Sequence, residues 1–358
     1  MSLSSPDSRV ALVFSGAYAD ALARLPVHPK RDCMTFSLIQ HTGLAQFLHI
    51  IAPDLASPAA LERFHSKAYV EALLNGTSIS LDEAKEYGLV DDAYVFDGMF
   101  EYCQYVAGAS LTAAKLLLSN TVDIAMNWGG GRHHAKKGQA SGFCYVNDVV
   151  LAVDYLVQHV PHARVLVLDI DVHHGDGVEE AFYFSSHVCT VSFHKFAKGF
   201  FPGTGASSSI GQGAGRFKNF NVPLDDGITD EKFFEVFELI VQPLVDAFSP
   251  THIVMTCGVD TLSTDLLGTF NLTANGIGWC LELVKEFELP LLLLGGGGYC
   301  EADAARCFAA LTATAVDQPL PDDVPDHDYF PLYSSMSDGT HDNFWIDTAP
   351  ISQWRQLQ

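Results

Sequence analysis

The chain has 358 residues, 48% hydrophobic and 18% charged, and 43 acidic against 20 basic side chains give a formal net charge of −23. That length leaves room for one large α/β domain with an ample core. No run approaches the ~20 consecutive apolar residues of a membrane span, so a soluble protein is expected. The charge repels nucleic acid and anionic membranes and speeds encounter with cationic partners such as basic peptides, although a solubilising surface accounts for it equally well.

Near the start, "VALVF" (10–14) follows no basic region and precedes no small-residue cleavage site, so it reads as a first strand and not as a signal peptide. A helical pattern covers 97–118, then "VDIAMN" (122–127) reads as a strand and 147–160 as a helix. "RVLVLDID" (164–171) and "HVCTVSF" (187–193) are further strands, followed by a helix over 229–248 and the strand "HIVMTCG" (252–258). A helix over 273–287, the strand "LPLLLLGG" (289–296) and a helix over 301–315 complete the series. Near-continuous apolar strands are buried on both faces, and their alternation with helices implies a parallel sheet with right-handed crossovers. Asn147, Thr229 and Thr273 stand where helix N-caps belong. The Pro/Asp-rich tail from about 317 to 358 is expected to wrap irregularly on this single domain. The eight cysteines form no CxxC pair and suit a reducing compartment.

In such sheets chemistry gathers beyond the carboxyl ends of the strands. Four successive ends deliver "GGGRHHAKKGQASGFCYVND", "DIDVHHGDG", "GVDTLSTD" and "GGGGY". Asp169, Asp171 and His173 alternate at period two, so Asp171 and His173 can grip one ion, with Asp260 as a third ligand. Such an Asp-His-Asp set with an open position suits a catalytic zinc, and ferrous iron or manganese also fit. A hydrogen-bonded strand end would explain a lone Asp-x-His just as well. His133 and His134 offer bases for an activated water, and the remaining Asp169 and Asp176 could each orient one of them, giving two dyads. A solvent-facing loop is the plain alternative for either histidine. Tyr299 ends the glycine run, where its hydroxyl could polarise a carbonyl or its ring could merely plug the turn.

Taken together, "HHAKKGQASGFCYVND", "VLDIDVHHGDGVEEAF", "VSFHKFAKGFFPGTG", "NVPLDDGITD", "CGVDTLSTDLLGTFNLT" and "GGGGYCEADAARCF" closely resemble the zinc-dependent histone deacetylases, class I in particular. The resemblance spans most of residues 10 to 330. It implies the arginase/deacetylase fold, an eight-stranded parallel sheet with helices on both faces, and removal of acetyl groups from lysine side chains of histones or other proteins. By motif position Asp171, His173 and Asp260 would hold Zn2+. His134 with Asp176 would be the general base, His133 with Asp169 an electrostatic stabiliser, and Tyr299 the donor to the acetyl oxygen. Phe143 and Phe201 would flank the lysine tunnel with Gly142, and Asp92 would hold the substrate backbone at the rim. Potassium is also implied, on the carbonyls of Asp169, Asp171, His173, Ser192 and Phe193 and, at an outer site, of Phe182 and Val188. Nuclear localisation follows from the resemblance alone, with a cytoplasmic share open.

Departures from the family pattern carry expectations of their own. Asp91 precedes Asp92 where relatives carry an aromatic, and "AYVF" follows it in place of a Cys-Pro turn, so the rim loop should be reshaped. Arg132 replaces a Leu or Trp, so with the family's internal arginine, Arg31, two guanidiniums would line the cavity below the metal, unless Arg132 turns to solvent. Leu266 and Ala302 stand where co-repressor-bound relatives carry phosphate-holding arginines, so an inositol phosphate partner is not expected. Leu262, two residues after Asp260, argues against two-metal arginase chemistry. The rivals left are an acetylpolyamine or other small-amide hydrolase on the same fold, and a non-catalytic acetyl-lysine-binding scaffold.

Overall fold

The computed structural model describes residues 9–333 and Phe344. Its centre is an eight-stranded sheet of β1 (Val10–Val13), β2 (His49–Ile51), β3 (Ile124–Asn127), β4 (Val165–Asp169), β5 (Val188–Lys195), β6 (Asn219–Leu224), β7 (His252–Thr256) and β8 (Leu291–Leu294). The order is β2-β1-β3-β8-β7-β4-β5-β6, and every pair is parallel. This is the expected eight-stranded parallel architecture.

The unbroken apolar runs have a direct cause. Leu166, Leu168, Ile253, Met255, Leu291 and Leu293 enter one buried cluster, while their neighbours Val165, Val167, Val254, Leu292 and Leu294 enter a second on the opposite face. Helices cover both faces, so neither set meets water. The first face is closed by Arg31–His41, Asp230–Phe248, Ala274–Glu286 and the alanine-rich Glu301–Ala315, and the second by Met99–Leu118 and Asp148–His159.

The apolar runs identified six strands but not β2 and β6, which lie at the sheet's two edges. Asn147 and Thr273 cap their helices, accepting from Val150 N and from Asn275 N and Gly276 N. Thr229 occupies an N-cap position without capping, since its hydroxyl donates to the Glu231 carboxylate instead. Val324, Tyr333 and Phe344 join the first core cluster, so the described part of the tail packs on the sheet; the expectation for residues 334–343 and 345–358 lies outside the described residues. No described helix is long and apolar enough to cross a membrane, and all eight cysteines are free thiols, seven of them buried.

The four strands whose ends carry polar loops, β3, β8, β7 and β4, are contiguous in the sheet. At about 4.8 Å per strand their ends span only ~14 Å, so the topology itself brings the loops to one place.

Candidate active site

β4 ends at Asp169, and the chain then leaves the ladder, so Asp171 and His173 sit in the loop beyond it. Asp260 arrives from the loop after β7. One ligand atom from each of Asp171, His173 and Asp260 lies within 4.8 Å of the others, and all three residues are buried. His173 Nδ1 stands 3.2 Å from Asp171 Oδ1 and 3.0 Å from Asp260 Oδ2. Backbone donors aim the carboxylates: Val172 N to Asp260 Oδ1 at 2.9 Å, and Gly297 N to Asp171 Oδ2 at 2.7 Å.

Burial and the Asp171 charge push the Asp260 carboxyl up to about 7. Asp171 itself is held well below the usual carboxylate range, because His133 and His173 outweigh its burial. Two buried carboxylates so placed repel one another, and a divalent cation relieves both repulsion and desolvation. Two oxygen donors and one imidazole suit zinc, and ferrous iron as well.

The histidine pair reaches this cluster on the loop after β3, which two residues hold from behind. Asp148 accepts from Arg132 N at 2.7 Å and from Gly131 N at 3.0 Å. Besides capping its helix, Asn147 donates through its amide to the carbonyls of His133 and Ala135 at 3.2 and 2.9 Å.

His133 Nδ1 donates to Asp169 Oδ2 at 2.7 Å, and His134 Nδ1 to Asp176 Oδ1 at 2.8 Å. Their Nε2 atoms are 2.9 Å apart, so in the resting site one proton lies between them. Burial disfavours the charge on His133, but Asp169 and Asp171 outweigh it and raise its pKa to about 9. Burial and the His133 charge lower His134 to about 3, so it stays a neutral acceptor at Nε2. Environments that push paired groups apart separate a base from a cation. Lys136, which sequence reasoning passed over, places Nζ 2.7 Å from Asp176 Oδ2 and 3.3 Å from the Glu180 carboxylate.

Tyr299 faces the cluster from the turn after β8, its ring 5.7 Å from that of Phe143. Burial, then the Asp260 and Asp171 charges, hold its phenol well above its ordinary pKa, so it remains a donor. Phe201 packs its ring 4.8 Å from His134. Phe200, also absent from the sequence reading, stacks on His173 at 5.2 Å. Gly142 has φ +53°, and a Cβ there would lie 2.6 Å from the His134 ring and 2.8 Å from Phe201, so only glycine fits. Its N–H donates to the exposed Asp92 carboxylate, at 3.0 Å from Oδ2, which ties that residue to the loop beside the histidine pair.

Arg132 turns inward: it is 4% exposed, its Nη2 donates to Gly129 O at 3.1 Å, and its Nη1 lies 3.4 Å from His28 Nε2. The solvent-facing alternative is excluded. Arg31 is fully buried, over the Phe308 ring, with Nη1 donating to Gly296 O and Gly298 O at 2.9 and 3.3 Å. Arg31 Nε and Nη2, Arg132 Nε, His28 Nδ1 and the Tyr102 hydroxyl find no hydrogen-bond partner among the described residues. Of the residues named for potassium, Asp169 and Ser192 pair in register across β4 and β5, Phe193 follows Ser192, Val188 opens β5, and Phe182 ends the helix Asp176–Phe182.

Residues 25–315 match the family described as "Histone deacetylase domain". The chain belongs to the histone deacetylase family. Histone deacetylase 9 of Arabidopsis thaliana is 47% identical over 313 residues, 86% of this chain and 73% of that protein. Histone deacetylase 1 of Homo sapiens is 45% identical over 315 residues, again 86% of this chain but 64% of that protein. Probable histone deacetylase 1-A of Xenopus laevis matches at the same 45% and the same coverage. This deacetylase-family chain thus spans a little under two thirds of the length of the human and frog relatives, and the family match covers seven of the eight strands, β1 lying before it.

Proposed function

We propose that this chain is a metal-dependent hydrolase that removes acetyl groups from N6-acetyl-lysine in histones and other proteins. One observation carries the reading: His133 and His134, each tied to its own aspartate, bring their Nε2 atoms to 2.9 Å of one another beside a buried Asp-His-Asp cluster. Asp171, His173 and Asp260 would hold one Zn2+, with Fe2+ a chemical alternative. Bound there, the ion supplies Lewis-acid activation of water and of the acetyl carbonyl.

The protein's own groups do the rest. His134 Nε2 accepts the proton of the attacking water, with Asp176 fixing its tautomer through Nδ1. The His133 cation, held by Asp169, offsets the negative charge that develops at the reacting carbon's substituents. The Tyr299 hydroxyl donates to the acetyl oxygen as that oxygen gains charge. The proton on His134 then passes to the lysine nitrogen as the C–N bond breaks, giving acetate and a free amine. Phe143, Phe201 and Gly142 line a slot for the lysine methylenes and exclude water, and Asp92 receives the substrate backbone at the rim.

Potassium on the carbonyls of Asp169, Asp171, His173, Ser192 and Phe193, with Phe182 and Val188 framing an outer site, belongs to the same proposal, as does a nuclear location with a cytoplasmic share. The net charge of −23 favours basic histone tails as substrates. Profiling the purified protein against acetyl-, crotonyl- and myristoyl-lysine peptides and N-acetylpolyamines tests the reading. The expected result is preference for acetyl-lysine peptides; preference for acetylpolyamines would move the protein to small-amide hydrolysis.

A further inference from the structure

The turn Gly295–Gly298 carries no side chains that could pack Tyr299 into place, so the position of Tyr299 depends on what its backbone is bonded to. Two of the restraints come from the site already described, Arg31 on the carbonyls of Gly296 and Gly298 and Asp171 on the N–H of Gly297. A third comes from Asp265, in the loop that follows the proposed metal ligand Asp260. Its Oδ2 accepts from Tyr299 N at 2.7 Å and from Cys300 N at 3.4 Å. Its Oδ1 accepts from Leu267 N at 2.8 Å and from Gly268 N at 3.1 Å. One carboxylate therefore satisfies four backbone donors and joins the loop after β7 to the turn after β8. The far end of that loop is fixed in turn, because the Gly268 Cα lies against the Asp260 carbonyl so closely that any Cβ would collide with it.

We propose that Asp265 is the positioning residue for Tyr299: it does not touch substrate, and it acts by locking the backbone from which the phenol reaches the acetyl oxygen. A carboxylate is required and not merely an acceptor, since each oxygen serves a different segment and ionised acceptors make the stronger bonds to N–H. An amide at this position has one carbonyl oxygen and can serve only one of the two segments. The proposal rests on the deacetylase reading of the site, in which Tyr299 is the donor. Misplacement of a reacting group by about 1 Å costs on the order of 10²-fold in rate.

The test is a double-mutant cycle with a spectroscopic readout. Asp265→Ala should lower kcat on an acetyl-lysine peptide by roughly 10- to 10²-fold, with KM and bound metal unchanged. Asp265→Asn, the variant that keeps the loop folded if alanine does not, should lie between alanine and the parent protein. In a Tyr299→Phe background either change should cost nothing further, because the group it positions is gone. Losses that multiply would show that Asp265 acts independently of Tyr299 and would overturn the proposal. With 3-fluorotyrosine placed at position 299 alone, the parent should give one 19F line, and Asp265→Ala a split or broadened one. This signal does not depend on turnover. Lack of acetyl-lysine turnover by the parent protein would therefore overturn the deacetylase reading, full activity of Tyr299→Phe the donor role of Tyr299, and an unchanged 19F line the role of Asp265 alone.

Discussion

Replacing Asp176 by asparagine should be far more damaging than the loss of one charge. The two carboxylate oxygens face different donors, His134 Nδ1 at 2.8 Å and Lys136 Nζ at 2.7 Å. An amide can give each only one kind of atom. The lysine ammonium has no lone pair to offer whereas the imidazole can switch tautomer, so the amide turns its oxygen to Lys136 and its NH2 group to His134, at the expense of the Gly177 N–H bond to Oδ1. The imidazole must then accept at Nδ1 and carry its proton on Nε2, which faces away from Asp176 and toward the site. It can no longer accept a proton there. A general base contributes about 10²- to 10⁴-fold, so Asp176→Asn should lose that much in kcat, some 3 to 5 kcal/mol of barrier, with KM and metal content nearly constant. Steady-state kinetics on an acetyl-lysine peptide measure the loss, and 15N spectra of the imidazole report the tautomer. Lys136→Met in the same background frees the amide to rotate and should restore part of the rate. A turnover within threefold of the parent for Asp176→Asn, or no tautomer change, would refute this reasoning.

Other consequences are more local. Tyr299→Phe should fold and bind metal yet lose on the order of 10²-fold or more in turnover, as for a missing oxyanion donor; parent-like kinetics would remove the hydroxyl from the mechanism. Because Arg132 and Arg31 are both buried with unpartnered N–H groups, inhibitors with bulky apolar extensions behind the site should bind poorly, and Arg132→Leu should improve them; equal inhibition constants for the two proteins would contradict this. Leu266 is 75% exposed and Ala302 is buried, and neither side chain can hold a phosphate, so inositol hexakisphosphate should neither bind tightly nor stimulate; micromolar binding by calorimetry at physiological salt with a several-fold rise in activity would overturn that.

What the sequence made legible follows a physical pattern. Strands buried on both faces announce themselves as runs such as 165–168 and Leu291–Leu294, because every such position must be apolar. The edge strands do not. β2 has only three residues, with Ile50 exposed, and β6 mixes Asn219, Asn221 and Pro223 into its ladder, so neither shows the continuous hydrophobicity of the centre. The metal and histidine groups were visible because their side chains are themselves reactive and sit at strand ends. Asp148 and Asp265 were not, since their work is to accept backbone N–H groups of segments distant in sequence, and nothing in their local composition marks that. Arg132 could be noticed as unusual, but its direction was decided by Gly129 O and His28, which only the folded loop brings near. Thr229 misled because N-cap preference is local, while a carboxylate two residues on offered its hydroxyl a different partner.

In the proposed function, Asp171, His173 and Asp260 hold one ion on which acetyl-lysine hydrolysis depends. Stripping the purified protein with a strong chelator and titrating zinc back, while following bound metal and deacetylation of a histone-tail peptide in the same samples, tests it most directly. Activity should disappear on stripping and return in proportion to metal, levelling at one ion per chain, and Asp260→Ala should neither bind the ion nor recover. Full activity in the metal-free protein would contradict it.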